Sequence, residues 1–149
     1  MMPTLATNKK ARHDYEILTT YEAGLMLTGP EAKSLRNGGG KLTGAYVTFH
    51  KGDPMITGMH VRKYKYATVP DYDPTRSRKL LLHTKEIAKL YGKSQEKGLT
   101  IVPLSVYTKG RYIKVEIAVC RGKKLHDKRE ALKKRDSDRQ VRRAIKGDY

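Results

Sequence analysis

Leu99-Thr100-Ile101-Val102-Pro103-Leu104-Ser105-Val106-Tyr107 and Tyr112-Ile113-Lys114-Val115-Glu116-Ile117-Ala118-Val119-Cys120 read as the two strands of a hairpin, with Lys109-Gly110 at the turn. Side chains alternate along a strand, so Ile113, Val115, Ile117 and Val119 share one face. Lys114 and Glu116 point to the other. Such a strand has one buried face and one able to meet solvent or a ligand. Pro103 lacks an N–H for the ladder, so the first strand is expected to carry an edge position or a bulge there.

The segments before the hairpin follow the same logic. Residues 15–28 are strand-like, with a break at Ala23-Gly24 where the glycine permits a bulge or sharp bend. Thr28-Gly29-Pro30-Glu31 starts a helix: proline suits the first turn and Glu31 complements the dipole. Gly38 ends it, and residues 37–40 read as a flexible joint. Residues 42–50 and 55–61 are expected as a strand and its return, joined by a turn at residues 51–54. Residues 62–78 read as a long exposed loop. It starts with the cation–aromatic alternation Arg62-Lys63-Tyr64-Lys65-Tyr66 and stays basic up to Arg78. The apolar run at residues 79–83 fits either a buried strand or the first turn of a helix. Thr84 is placed to cap a helix through Tyr91, with Ile87 and Leu90 or Tyr91 facing the core and Gly92 ending it.

Strands outnumber helices and no βαβ rhythm is present. The expected architecture is mainly β: an OB-like closed β-barrel with about three short helices and a flexible basic C-terminal tail. Of the 30 Leu, Ile, Val and Phe residues, only Leu125, Leu132, Val141 and Ile145 lie beyond residue 120. Residues 1–120 are therefore assigned to the barrel domain and residues 121–149 to the tail, which is too poor in apolar surface to order itself.

The formal charge of +17 on 149 residues points to a polyanionic partner, most often nucleic acid. No apolar run reaches the ~18–20 residues of a membrane span, and the start lacks the apolar stretch of a signal peptide. A single cysteine, Cys120, makes no internal disulfide, so a cytoplasmic location is expected. The five histidines show no metal-ligand spacing, so neither a metal nor a cofactor is expected. Asp71 and Asp73 precede Pro74 in ordinary turn chemistry, and no catalytic acid–base pair is visible, which argues against an enzyme.

Binding chemistry remains. Asn8-Lys9-Lys10-Ala11-Arg12-His13-Asp14-Tyr15 and Arg62 to Tyr66 both combine cations, which neutralise phosphate, with rings that stack on unpaired bases. From Lys123 to Lys146 the tail holds no glycine or proline and is rich in helix formers. That composition suits either a segment that folds on binding or a permanently disordered one contributing charge.

Five stretches occur in one order: Asn8 to Tyr15, Tyr21-Glu22-Ala23-Gly24, Glu31-Ala32-Lys33-Ser34-Leu35-Arg36, Asp73-Pro74-Thr75-Arg76-Ser77-Arg78-Lys79-Leu80-Leu81-Leu82-His83, and Arg121-Gly122-Lys123-Lys124-Leu125-His126-Asp127-Lys128-Arg129. Together they closely resemble the SsrA-binding protein family (small protein B), the bacterial partner of transfer-messenger RNA (tmRNA). The resemblance implies an OB-type barrel with three helices and a tail that becomes helical on the ribosome. It implies binding to the tRNA-like domain of tmRNA and delivery, with elongation factor Tu, to ribosomes stalled without a usable codon. The tail then occupies the small-subunit decoding centre and the empty mRNA channel.

The resemblance also marks residues. Asn8, Lys9, Arg12 and His13 belong to the N-terminal RNA-contact motif, and Glu22, Leu81 and Lys114 match positions linked to tmRNA binding. Gly122, Lys123, Lys124, His126, Asp127, Lys128 and Arg129 match the ribosome-engaging tail, with Ile145 as its apolar contact near the end. Glu22 is expected to accept hydrogen bonds from base edges or to orient a neighbouring cation. Leu81 either packs a base or fills the core. Where the family has one glycine after Ser-Leu-Arg, this chain has Gly38-Gly39-Gly40, a change expected to loosen the joint. Two rival functions stand beside ribosome rescue: a structural ribosomal protein with an OB-like barrel, and a small RNase.

Overall fold

The computed structural model describes residues 3–67 and 70–122. In chain order they form β1 (Thr4–Thr7), α1 (Lys9–Asp14), β2 (Glu16–Leu25), α2 (Gly29–Arg36), β3 (Gly40–Lys41), β4 (Tyr46–His50), β5 (Asp53–Thr57), β6 (His60–Val61), β7 (Arg78–Leu81), α3 (Thr84–Ser94), β8 (Leu99–Lys109) and β9 (Tyr112–Arg121). Seven strands make one sheet in the order β1-β8-β9-β2-β7-β5-β4, and β3 pairs with β6 apart from it. Every pairing is antiparallel. The expected mainly-β architecture with three helices is therefore present. No ladder joins the edge strands β1 and β4 among the described residues, so the pairing by itself gives a large antiparallel sheet. β4 nonetheless curls back to within 8 Å of β8, measured between Cα atoms.

The β8–β9 hairpin lies inside this sheet, between β1 and β2. Ile113, Val115, Ile117 and Val119 are buried in one core with Ile101, Val106, Ile56, Leu35, Leu80 and Leu90. The opposite face of β9 changes character along its length. Lys114 and Glu116 stay half-exposed, whereas Ala118 and Cys120 lie in a second cluster with Val102, Leu104 and Ala11 of α1. A six-residue helix is marginal alone, and Ala11 supplies its seat. Pro103 resolves as a bulge and not an edge: β8 lies between β1 and β9, and its register slips between Pro103 and Ser105.

Several elements differ from expectation. The irregularity in β2 falls between Ile17 and Thr19, and Gly24 continues the ladder. The run after residue 78 takes the strand option of the two expected, with Leu80 buried. α3 runs past Gly92 to Ser94, and His83 is its N-cap, its N–H donating to Glu86 Oε1 at 3.2 Å. Leu90 is the residue α3 buries, while Tyr91 sits outside and meets the edge of Phe49, ring centroids 5.3 Å apart. Truncating a buried leucine of this kind costs about 2–5 kcal/mol.

α2 is fixed at both ends. Thr28 Oγ1 accepts from the Glu31 N–H, and Glu31 Oε1 accepts from the Thr28 N–H, at 3.3 and 3.0 Å. At the far end Gly38 N–H donates to Leu35 O and Gly39 N–H to Ser34 O, at 3.0 and 2.8 Å, with Gly38 at φ 80°. A Cβ on Gly39 would lie 2.2 Å from Ser34 Oγ. The three glycines thus make a tight, defined turn where a loosened joint was expected.

Candidate nucleic-acid interface

The outward faces of β2, β8 and β9 lie side by side near the hairpin tip. Gly24 is paired with Leu81 of β7 on one side and with Lys114 of β9 on the other. Having no side chain, Gly24 leaves a floor between them; a Cβ there would meet Leu81 Cβ at 3.2 Å. The result is an open groove of about 330 Å³, lined by Leu81, Lys114, Tyr112, Arg111 and Arg36 among others. Leu81 is 48 % exposed while its neighbour Leu80 is buried, so Leu80 fills the core and Leu81 faces outward. Tyr112 is exposed, and Lys114 Nζ lies 5.8 Å from its ring centroid. Arg36 Nη2 donates to Arg111 O at 3.0 Å, bringing the end of α2 to the rim. Cations, an open ring and an exposed leucine suit phosphate, base face and sugar.

Glu22 lies next to this groove on the same face of β2. Tyr107 donates its hydroxyl to Glu22 Oε2, and Lys109 Nζ donates to Oε1 at 3.1 Å. The Tyr107 hydroxyl and then Lys109 hold the Glu22 carboxyl below its ordinary pKa. Burial, and next the bond to Glu22, push the Tyr107 phenol up. Glu22 stands directly opposite Glu116, an unfavourable like-charge pair. Lys109 offsets one member, and Arg12 of α1 offsets the other at 3.1 Å. Glu22 therefore orients a cation and a phenol at the edge of the groove.

α1 extends the face. Lys9, Arg12 and His13 are exposed and recur at three and four residues, one side of a helix. His13 Nδ1 lies 3.3 Å from Asp14 Oδ1. Asn8 is different: it is buried. Its Oδ1 accepts from Ala11 N–H at 3.1 Å, and its Nδ2 donates to Pro103 O at 2.9 Å and Leu42 O at 3.4 Å. Asn8 caps α1 and ties it to the β8 bulge, a positioning role. Of the proposed tail residues, Gly122 is half-buried just after β9, and Lys123, Lys124, His126, Asp127, Lys128, Arg129 and Ile145 lie outside the described residues. Gly122 leaves from the end of β9 opposite Lys114, roughly 25 Å away at ~3.3 Å per residue.

The loop reading of residues 62–78 needs one correction. Arg78 is fully buried at the start of β7 and lies on no exposed loop. Its Nε and Nη2 donate to Glu31 Oε2 at 2.9 and 2.7 Å, and its Nη1 donates to Met59 O at 2.9 Å. Arg76 grips the same carboxylate, its Nε donating to Oε2 at 2.9 Å, and Tyr72 donates to Val61 O at 2.8 Å. Burial raises the Glu31 pKa, but the two guanidiniums and the Thr28 N–H outweigh it and hold the carboxyl at about 2. This network locks α2 to β7 and so sets the Arg36 rim against the Leu81 wall of the groove.

Sequence reasoning missed Arg36, Tyr107, Lys109, Arg111 and Tyr112 as parts of the face. The parity that picked out Lys114 also selects Tyr112, which was a usable signal. Among the described residues no group of three or more His, Cys, Asp or Glu is placed to hold a metal, and no helix is long and apolar enough to cross a membrane.

The chain is similar to known proteins. The family described as SmpB protein matches residues 5–147. The SsrA-binding protein of Oleidesulfovibrio alaskensis is 52% identical over 141 residues, 95% of this chain and 91% of its own. That of Carboxydothermus hydrogenoformans is 44% identical over 149 residues, 100% of both chains. A solved structure reported as "tmRNA-SmpB: a journey to the center of the bacterial ribosome" superposes with a TM-score of 0.66 at 46% identity, covering 78% of this chain and 82% of that one.

Proposed function

The chain belongs to the SmpB protein family and binds tmRNA in trans-translation on the ribosome, and we propose that it does so through the face built by Gly24, Leu81, Lys114 and Glu22. The observation that carries this reading is the groove itself. Its floor is a glycine, its walls are an outward leucine and a lysine, and its rim carries Arg36, Arg111 and Tyr112. The RNA element it receives is the tRNA-like domain, gripped by shape, phosphate contact and stacking. Glu22 sets Lys109 and Tyr107 at the groove's edge, and Lys9, Arg12 and His13 widen the contact along α1. Asn8 holds that helix in place.

The mechanism divides the chain. Residues 1–120 act as an OB-like barrel that binds RNA, a reading supported by the return of β4 to β8. The residues after β9 act as a basic tail that engages the ribosome. There Gly122, Lys123, Lys124, His126, Asp127, Lys128, Arg129 and Ile145 engage the decoding centre and the empty mRNA channel. Elongation factor Tu joins the delivery complex, and the protein works in the cytoplasm without catalysing a reaction; both follow from the family resemblance. Truncation after Arg121 tests the division. The shortened chain keeps its preference for the tRNA-like domain over an elongator tRNA, and tagging of stalled chains is lost. Loss of that preference in the truncated chain contradicts the division.

A further inference from the structure

A second groove, of about 460 Å³, opens on the other side of α2 from the first. Ala32 and Arg36 line the first groove; Ser34 and Asn37 line this one, together with the segment from Arg62 to Tyr66. Its charge is one-sided. No carboxylate lines it, and none of Lys33, Arg62, Lys63 and Lys65 has a carboxylate partner among the described residues. The cations that line the first groove, Arg36, Arg111 and Lys114, are likewise without a carboxylate partner among the described residues, whereas Arg12 and Lys109 beside it are paired. Three unpaired cations lining one groove, with Lys33 beside its Tyr64 ring, need a reason, because mutual repulsion disfavours the arrangement.

The segment also holds a fixed aromatic pair. Tyr64 and Tyr66 meet edge to face, centroids 5.4 Å apart, and Tyr66 is 69 % exposed. Lys33 Nζ lies 5.7 Å from the Tyr64 centroid and Lys65 Nζ 4.9 Å from that of Tyr66. The backbone is anchored: Arg62 N–H donates to Gly39 O at 2.8 Å, Ser34 Oγ donates to Arg62 O, and Ala67 N–H donates to Tyr64 O at 2.9 Å. An exposed ring on an anchored backbone has little ordering entropy left to lose on binding.

We propose that this groove is a second RNA contact, in which one unpaired base stacks on Tyr66 beside Tyr64 while Arg62, Lys63 and Lys65 hold the adjoining phosphates. It rests on the RNA-binding reading above but uses a separate surface. The groove lies within the 300–1,000 Å³ of ordinary ligand sites, which accommodates a nucleotide. Stacking requires an unpaired base, so the partner is single-stranded or looped RNA and not a duplex.

The chain contains no tryptophan, so Tyr66→Trp places one indole fluorophore at the site. The full-length Tyr66→Trp protein is titrated with a single-stranded RNA hexanucleotide and, separately, with a blunt RNA duplex. The hexanucleotide is expected to quench the indole at concentrations where the duplex does not. Adding Tyr64→Ala is expected to weaken the hexanucleotide about 5- to 150-fold, and Tyr64→Phe to restore it. Absence of quenching, equal quenching by both RNAs, or indifference to Tyr64→Ala overturns the proposal. Affinity of Lys114→Ala for the tRNA-like domain is read in parallel. Normal affinity there, with hexanucleotide quenching intact, sinks the first groove and leaves the second standing. The reverse pattern sinks the second alone.

Discussion

Two glutamates, nine residues apart in sequence, do opposite work. Glu31 is buried, held by two guanidiniums, a backbone N–H and the Tyr72 hydroxyl, and nothing of it reaches solvent. Glu22 sits on an outward strand face and holds a lysine and a phenol that remain partly exposed. The first ties α2 to β7; the second arranges groups at the edge of a groove. A carboxylate's surroundings, more than its presence, decide whether its loss is felt in folding or in binding.

The largest effect follows from breaking the buried side. Arg78→Met keeps the stem volume but leaves Glu31 with one guanidinium, and is expected to destabilise the fold by about 3–5 kcal/mol. Thermal unfolding followed by circular dichroism should show a Tm lower by at least about 10 °C. A change of only a degree or two would mean that Arg76 alone suffices.

Acid titration separates the two carboxylates further. The folded Glu31 pKa is depressed from 4.5 to about 2. Its stabilising contribution is therefore complete above about pH 4.5 and disappears as pH falls towards 2. Comparing denaturant midpoints at pH 6 and pH 3 should show a large drop in the natural protein and a smaller drop in Glu31→Gln. Equal drops would place the acid-sensitive group elsewhere.

On the exposed side the effects move to binding. Lys114→Ala is expected to weaken the tRNA-like domain about tenfold, for one charge-assisted contact of ~1.5 kcal/mol. The slope of log affinity against log salt should fall by about 1. An unchanged slope would take Lys114 off the phosphate path. The smallest effect is expected of Glu22→Gln. It alters stability by less than about 1 kcal/mol, as exposed pairs do, and loosens RNA binding only a few-fold through Lys109. Calorimetric unfolding and a binding titration on one preparation would expose the reverse ranking.

The contrast also explains what the sequence could convey. Alternation in residues 113–119 was enough to place Lys114 outside and its neighbours inside. Pro30 and Glu31, in the spacing of a first helical turn, announced a helix start. The same spacing could not reveal that Glu31 meets Arg78, because the pair is 47 residues apart and only the fold joins them. For that reason Arg78 read as one more basic residue of an exposed loop. The triple leucine was ambiguous for a related reason: in a continuous apolar run, parity alone does not say which member faces out. Pairing with Gly24 does. Asn8 stood within an RNA-contact motif, but its burial under α1 depends on the Pro103 bulge, another contact distant in sequence.

The most direct test is a competition titration with full-length protein. Natural chain and Leu81→Ala/Lys114→Ala double variant are each titrated with the tRNA-like domain of tmRNA, against an elongator tRNA competitor, at two salt concentrations. The account predicts that the natural chain binds tightly and resists the competitor, and that the double variant loses this preference while its Tm holds. If the double variant binds like the natural chain, or if the natural chain binds both RNAs equally with steep salt dependence, the groove is not the interface and the +17 charge alone explains the affinity.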